Sequence, residues 1–350
     1  MLDNGRKAMK RRILATLFAA AVSAAGLAGA VRAEQPDDGL VNQSAAAMKG
    51  KKVAFVPIAM GFDLTEAWAA GLKHDAEAFG YDLTIRDPNW SVDAGAQAFS
   101  QLISEQPDVI VVHPPEIQAY TRLIQQANAQ GIPVITMNLK ADANGDIFIG
   151  ANWYDIAVKQ TEAIVKACGA GSGKSGKIAV MQGVLTNPTS QYGIQAIEAT
   201  LKQHPEVQIV SNQAADWDAS KAHAIAVTVL KANPDLCGFI GMWDNMDVGI
   251  AAAIKEAGKT GAVALVSSGG GNQASACDNV ANGNFSTYIS YDAKGQARDL
   301  MMAVRSILQN KPAEPGAKTY ALYTPLKTIT KDSNYPGACW NLDDVKKYGP

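Results

Sequence analysis

From Lys51 onward, short runs of consecutive apolar residues alternate with longer stretches whose apolar positions recur every three or four residues. The short runs read as buried strands and the longer ones as amphipathic helices. In the first half, strands are expected at 52–57, 81–86, 108–112, 133–137 and 146–150, with helices at 64–79, 93–105, 117–130 and 154–168. Gly80 and Gly131 close two of these helices, as helix C-termini favour. In the second half, strands are expected at 177–182, 207–211, 238–242, 263–266 and 286–290. Helices fall between them at 190–203, 219–232, 247–257 and 273–282. A helix at 293–310 and a single extended stretch at 320–330 follow.

Strands that are apolar on both faces belong to parallel sheets covered by helices. The rhythm breaks near Asn152 and then repeats, which predicts an α/β protein of two doubly wound, Rossmann-like lobes with a hinge and an interlobe cleft. The expected lobes are 51–152 plus 292–322, and 153–291 plus 323–350 with the tail. The chain is expected to cross between them near Asn152, Tyr291 and Tyr323–Pro325. Open α/β sheets bind ligands beyond the carboxyl ends of their strands, so the cleft is the expected site.

The N-terminus changes the picture. Arg6, Lys7, Lys10, Arg11 and Arg12 precede an uncharged run from Ile13 to Val31, and Val31-Arg32-Ala33 fits a small-x-small cleavage site. Residues 1–33 are therefore expected to be a cleaved secretory signal peptide, with Met1 or Met9 as start. An uncleaved anchor is the weaker reading, because Ala and Gly dominate the run. Without this leader the chain carries 25 Lys and Arg against 32 Asp and Glu. That acidic balance lacks the basic footprint of a nucleic-acid binder. An exported chain is also a poor place for cytosolic nucleotide chemistry.

Several letter patterns tempt and fail. Gly171-Ser172-Gly173-Lys174-Ser175 resembles a phosphate loop, but the first glycine that pattern needs falls at Cys168. A helix precedes the run and a strand follows it, the reverse of the order that points a helix N-terminus at phosphate. His74, His113, His204 and His223 form no metal-spaced cluster and read as structural or solvent-facing. No nucleophile elbow is present, and Ser267-Ser268-Gly269-Gly270-Gly271 reads as a close-approach loop lining the cleft rather than a catalytic serine. No enzyme activity, cofactor or metal is expected. Export permits disulfides among Cys168, Cys237, Cys277 and Cys339, and three connectivities are open. Cys168 and Cys237 both sit at the strand N-terminal edge of the second lobe, so Cys168–Cys237 with Cys277–Cys339 is preferred.

The stretches Ala67–Tyr81 (AxxAGLKxxAEAFGY), Gln106–Val112 (QPDVIVV), Gly131–Ile135, Ala214–Asp218 and Asn233–Gly249 carry a family resemblance by their order and spacing. The chain resembles the type I periplasmic sugar-binding proteins of ABC importers, the ribose- and galactose-binding group, over roughly residues 51–330. The resemblance implies that Trp217 keeps the cleft aromatic. It also implies departures among the hydroxyl-binding positions. The expected Asp-Arg pair becomes Asn138-Leu139, an Arg becomes Gln191, and the Asn beside Asp244 becomes Trp243. A loop Asp becomes Gly269 and the hinge Gln becomes Tyr291. Phe62, Asp63, Trp90, Asn152, Trp153 and Gly270 complete the expected ligand set. Trp68 reads as partly core and Trp340 as surface cover.

Aromatic faces suit ring C–H faces, and amides supply donors and acceptors. The implied ligand is thus a small neutral polyhydroxy compound: a polyol, deoxy sugar or small glycoside. The resemblance implies a monomeric periplasmic binding protein that delivers it to an ABC permease in the inner membrane. The alternative is a sensor input whose closed form meets a chemoreceptor or histidine kinase.

Overall fold

The computed structural model describes residues 39–143 and 145–350. The expected signal peptide therefore lies outside the described residues. No helix among the described residues is long and apolar enough to cross a membrane.

Two six-stranded sheets share one strand order. The first contains β1 (Lys52–Val56), β2 (Asp82–Ile85), β3 (Val109–Val112), β4 (Val134–Asn138), β5 (Ile147–Gly150) and β11 (Tyr320–Tyr323). The second contains β6 (Lys177–Gln182), β7 (Gln208–Ala214), β8 (Gly238–Gly241), β9 (Ala264–Gly269), β10 (Thr287–Ser290) and β12 (Lys327–Ile329). Their orders, β11-β5-β4-β3-β1-β2 and β12-β10-β9-β8-β6-β7, superimpose element for element. Every pair is parallel except β10 with β12. The extended stretch expected at 320–330 is thus two strands in two sheets, separated at Thr324–Leu326.

The central strands of each sheet are buried on both faces, which is why they read as apolar runs. Val53, Phe55, Val109 and Val111 face one cluster, and Ala54, Val56, Ile110 and Val112 the other. In the second lobe Phe239 and Leu265 take one face, and Ile178, Ile240 and Val266 the other. Trp68 is fully buried in the first lobe's core.

Some boundaries differ from the sequence pattern. The helix expected at 117–130 is only Thr121–Ala129. The one expected at 247–257 begins at Asp244, and that at 273–282 is a π-helical turn, Gln273–Cys277, leading into Asp278–Ala281. Helices at Leu40–Met48 and Leu342–Tyr348 were not expected.

Thr324 holds the hinge together. Its hydroxyl lies 2.9 Å from the Tyr291 carbonyl oxygen and 3.2 Å from that of Gly150, and Gln296 Nε2 donates to it at 3.4 Å. One side chain thus touches all three expected crossings. The tail adds a fourth. Cys339 is tied to Cys277 in the second lobe. Trp340, only 7% exposed, donates from Nε1 to the Gly270 carbonyl at 2.6 Å. The tail then lays helix Leu342–Tyr348 on the first lobe's helix Asp63–Phe79, with Lys346 paired to Glu66 at 2.8 Å. Trp340 is therefore a strut rather than surface cover, and the end of the tail belongs with the first lobe. The second disulfide is Cys168–Cys237, so both preferred pairings are present.

Candidate functional site

The loops at the strand carboxyl ends of both lobes meet around one narrow cavity of about 50 Å3. Two of its walls are built by the same local device. In the first lobe, Asn89 and Trp90 are consecutive left-handed residues (φ 48° and 68°), followed by the helix cap Ser91. In the second, Asp216 and Trp217 repeat the pattern (φ 52° and 65°) before the cap Asp218. A bulky residue at positive φ is uncommon and persists where the surroundings over-determine it, often at functional sites. Here each turn throws an indole into the cleft and then starts a helix. Asp87 Oδ1 accepts from Asn89 N and Met60 N, and Trp90 N donates to Ile58 O at 3.0 Å, which fixes the first turn on the end of β1. Asp216 pairs with Lys221 in the second.

The rings form a continuous set. Phe62 stacks on Trp90 (centroids 5.3 Å) and meets Trp243 edge-on across the cleft (5.6 Å). Trp243 in turn meets Trp217 at 6.0 Å and 86°. Gly183 gives Trp217 its bed, because a side chain there would run into the indole ring. Behind them Trp153 packs edge-on against Tyr291 at 5.0 Å, its Nε1 donating to the Asn138 carbonyl at 3.0 Å.

The polar lining is neutral. Asn138 ends β4 at φ 61°, a left-handed conformation that Asn tolerates better than most residues. Its Nδ2 lies 3.4 Å from His113 Nε2. Burial pushes His113 down to about 3, which keeps it uncharged. Asn138 Oδ1, His113 Nδ1 and Trp243 Nε1 are buried without a hydrogen-bond partner. Such atoms cost about 1–3 kcal/mol each when left unpaired, and all three belong to cavity-lining residues. Asn187 caps helix Pro188–Leu201 and reaches across the lobes, donating from Nδ2 to Pro115 O at 2.8 Å.

A second interlobe contact lies beside the cavity. Asp63 opens helix Asp63–Phe79 of the first lobe, and Asp244 opens helix Asp244–Glu256 of the second. Ser275 Oγ sits 3.0 Å from Asp63 Oδ2 and 2.8 Å from Asp244 Oδ2. Tyr288 donates to Asp244 at 2.7 Å, and Asn245 Nδ2 donates to Asp63 at 3.3 Å. Burial, and then the neighbouring Asp63, push Asp244 up to about 8; burial also raises Asp63. Gly269 leaves room for the Asp244–Tyr288 contact, since a side chain there would strike both.

Of the residues expected from sequence, Phe62, Trp90, Asn138, Trp153, Trp217, Trp243 and Tyr291 line the cavity. Asp63 and Asp244 do not; they meet each other through Ser275. Asn152 is an exposed cap of helix Trp153–Cys168, with its Oδ1 accepting from Asp155 N, and Gln191 is exposed on helix Pro188–Leu201, so neither lines it. Gly270 packs beneath Leu64 of the opposite lobe. His113, Asn187 and Thr189 also line the cavity although the sequence reading did not place them there. His113 directly follows β3, and Asn187 and Thr189 lie where the segment after β6 enters the next helix, on the side where open α/β sheets bind ligands.

Comparison with known proteins agrees with this architecture. The D-apiose import binding protein of Actinobacillus succinogenes is 24% identical over 202 residues, 57% of this chain and 64% of that protein. The chain thus matches less than two thirds of that relative's length. The D-ribose/D-allose-binding protein of Pseudomonas aeruginosa is 25% identical over 270 residues, 75% of this chain and 80% of its own. A Mycobacterium smegmatis protein solved in complex with β-D-fucofuranose shares the fold at TM-score 0.74 and 19% identity, covering 85% of this chain and 98% of that one. The family model described as the periplasmic binding protein domain matches residues 37–312, and with two lobes of one strand order closing on a shared cavity, the chain belongs to that family.

Proposed function

We propose that this protein captures a small neutral carbohydrate or polyol between its lobes and presents it to the permease of an ABC importer. The observation that carries the reading is the cavity lining. Phe62, Trp90, Trp153, Trp217, Trp243 and Tyr291 supply aromatic surface, and no ionisable lining group is charged at neutral pH. Ring C–H faces stack on the indoles, while ligand hydroxyls pair the orphaned Asn138 Oδ1 and Trp243 Nε1. The names of the relatives, which concern D-apiose, D-ribose and D-allose, support a sugar-like ligand. The cavity favours ligands that present apolar ring or chain faces, because six aromatic side chains line it beside few free polar atoms.

In this reading the protein works as a binder, not an enzyme: Asp63, Asp244 and Asp247 are engaged with Ser275, Tyr288 and Ser267, and none of them lines the cavity. It acts in the periplasm as a monomer after loss of residues 1–33. The test is a thermal-shift screen with D-apiose, D-ribose, D-allose, D-fucose and xylitol, followed by calorimetry. A ligand that binds only the native state raises the apparent melting temperature. At least one of these neutral compounds, or a close deoxy analogue, is expected to do so. Asn138→Leu should then weaken it by roughly tenfold or more, since a hydroxyl loses its acceptor.

A further inference from the structure

The Asp63–Ser275–Asp244 bridge contains too few hydrogens for two ionised carboxylates. A serine hydroxyl has one hydrogen and can donate it to one acceptor. Yet Ser275 Oγ stands at hydrogen-bond distance from both carboxylates, 3.0 Å and 2.8 Å. The Tyr288 hydrogen is spent on Asp244 Oδ2, and Tyr288 itself accepts from Gly271 N at 3.0 Å. The Asn245 donors, Nδ2 and N, go to Asp63 Oδ1 and Asp244 Oδ1. The remaining contact is a hydrogen bond only if one carboxyl is protonated and donates to Ser275 Oγ. Without that proton, it sets a lone pair against an anion.

Asp63 belongs to the first lobe, and Ser275, Asp244, Asn245 and Tyr288 to the second. The bridge therefore exists only while the lobes are together. We propose that Asp63 and Asp244 form a proton-sharing latch, so that closing the cleft takes up one proton and parting the lobes releases it. This rests on the capture-by-closure reading above and supplies its regulation.

The surroundings do not neutralise the pair in another way. The titratable groups acting on it are Asp247, Tyr288 and Tyr291, none of them cationic. On the helix of Asp63, Glu66 is paired with Lys346 of the tail helix, and His74 Nε2 contacts the Lys346 carbonyl. Asp247 is held by Ser267 at 2.6 Å on the far side of Asp244's helix turn. Burial raises both latch carboxylates. In the open form Asp63 is rehydrated and returns toward the ordinary carboxylate range. A group whose closed-state value is raised favours closure fully at low pH, and that advantage is lost as pH rises through the closed-state value. Between the two values the closed-to-open ratio changes by up to about tenfold per pH unit for one proton.

The test uses the ligand-free chain, so it does not depend on which compound is bound. The radius of gyration is measured by solution scattering from pH 5 to pH 8.5 for the wild type and for Asp63→Asn. An asparagine amide stands in for the protonated carboxyl and donates to Ser275 without a titrating proton. The wild type is expected to be more compact at pH 5 and to expand toward pH 8.5. Asp63→Asn should stay compact throughout, with thermal melting confirming that it is folded. A wild-type radius that is constant across the range overturns the latch, and so does a pH response retained in Asp63→Asn. Either result leaves ligand capture standing; a ligand screen without a hit removes the capture reading and leaves this measurement intact.

Discussion

The two tryptophan turns are the same device put to two uses. Asn89-Trp90-Ser91 and Asp216-Trp217-Asp218 share two left-handed residues and a helix cap, and they occupy equivalent places in two sheets of equal strand order. Their surroundings differ. Trp217 is bedded on Gly183 and packs against both core clusters of the second lobe. Trp90 is 47% exposed and leans on Phe62. In the proposed capture, the second-lobe ring acts as a wall and the first-lobe ring as a door at the mouth. Both disulfides anchor in the second lobe, through Cys168–Cys237 and Cys277–Cys339. The lobe that holds both disulfide anchors thus also holds the more deeply packed of the two indoles.

The largest effect should come from removing the wall. Trp217→Ala is expected to weaken the ligand found in the screen by roughly 30-fold or more, the scale of a buried aromatic anchor at about 1.4 kcal/mol per decade. Trp217→Phe should recover much of the loss by calorimetry. Evicting the ring without deleting it comes next: Gly183→Val should cost roughly tenfold in affinity, about 1.4 kcal/mol, and change the tryptophan fluorescence of the free protein. Opening the door should matter least for affinity. Trp90→Ala is expected to lose only about threefold, roughly 0.6 kcal/mol, and to act mainly on the dissociation rate in stopped-flow. Replacing Cys277 and Cys339 by Ser should leave affinity nearly unchanged while lowering unfolding free energy by roughly 2–4 kcal/mol, read from denaturant melts. Equal losses for Trp217→Ala and Trp90→Ala would erase the distinction between wall and door.

The sheets were legible because a strand buried on both faces leaves a continuous apolar run, as Val109–Val112 does. The strand-end rule likewise marked Trp217 and Trp90, whereas Asn138 was marked by the family resemblance; all three line the cavity. What stayed hidden depends on contacts between distant segments. The 320–330 stretch looks uniformly extended, and only the separate partners of β11 and β12 divide it. Trp340 reads as a stray tail residue until Gly270 offers its carbonyl. Asp63 and Asp244 resemble sugar ligands in a sequence, since no local pattern records that Ser275 stands between them. His113, single and apart from other ligand-type residues, gave no spacing signal, although its position after β3 was available.

The most direct measurement is a paired calorimetric titration at fixed pH. The best neutral sugar or polyol from the screen is compared with its carboxylate and amino analogues of matched size. A lining without charged groups predicts that the neutral compound binds and that each charged analogue binds at least about 100-fold more weakly, roughly 2.7 kcal/mol. A charged analogue that binds as tightly as the neutral one, or more tightly, would contradict the account.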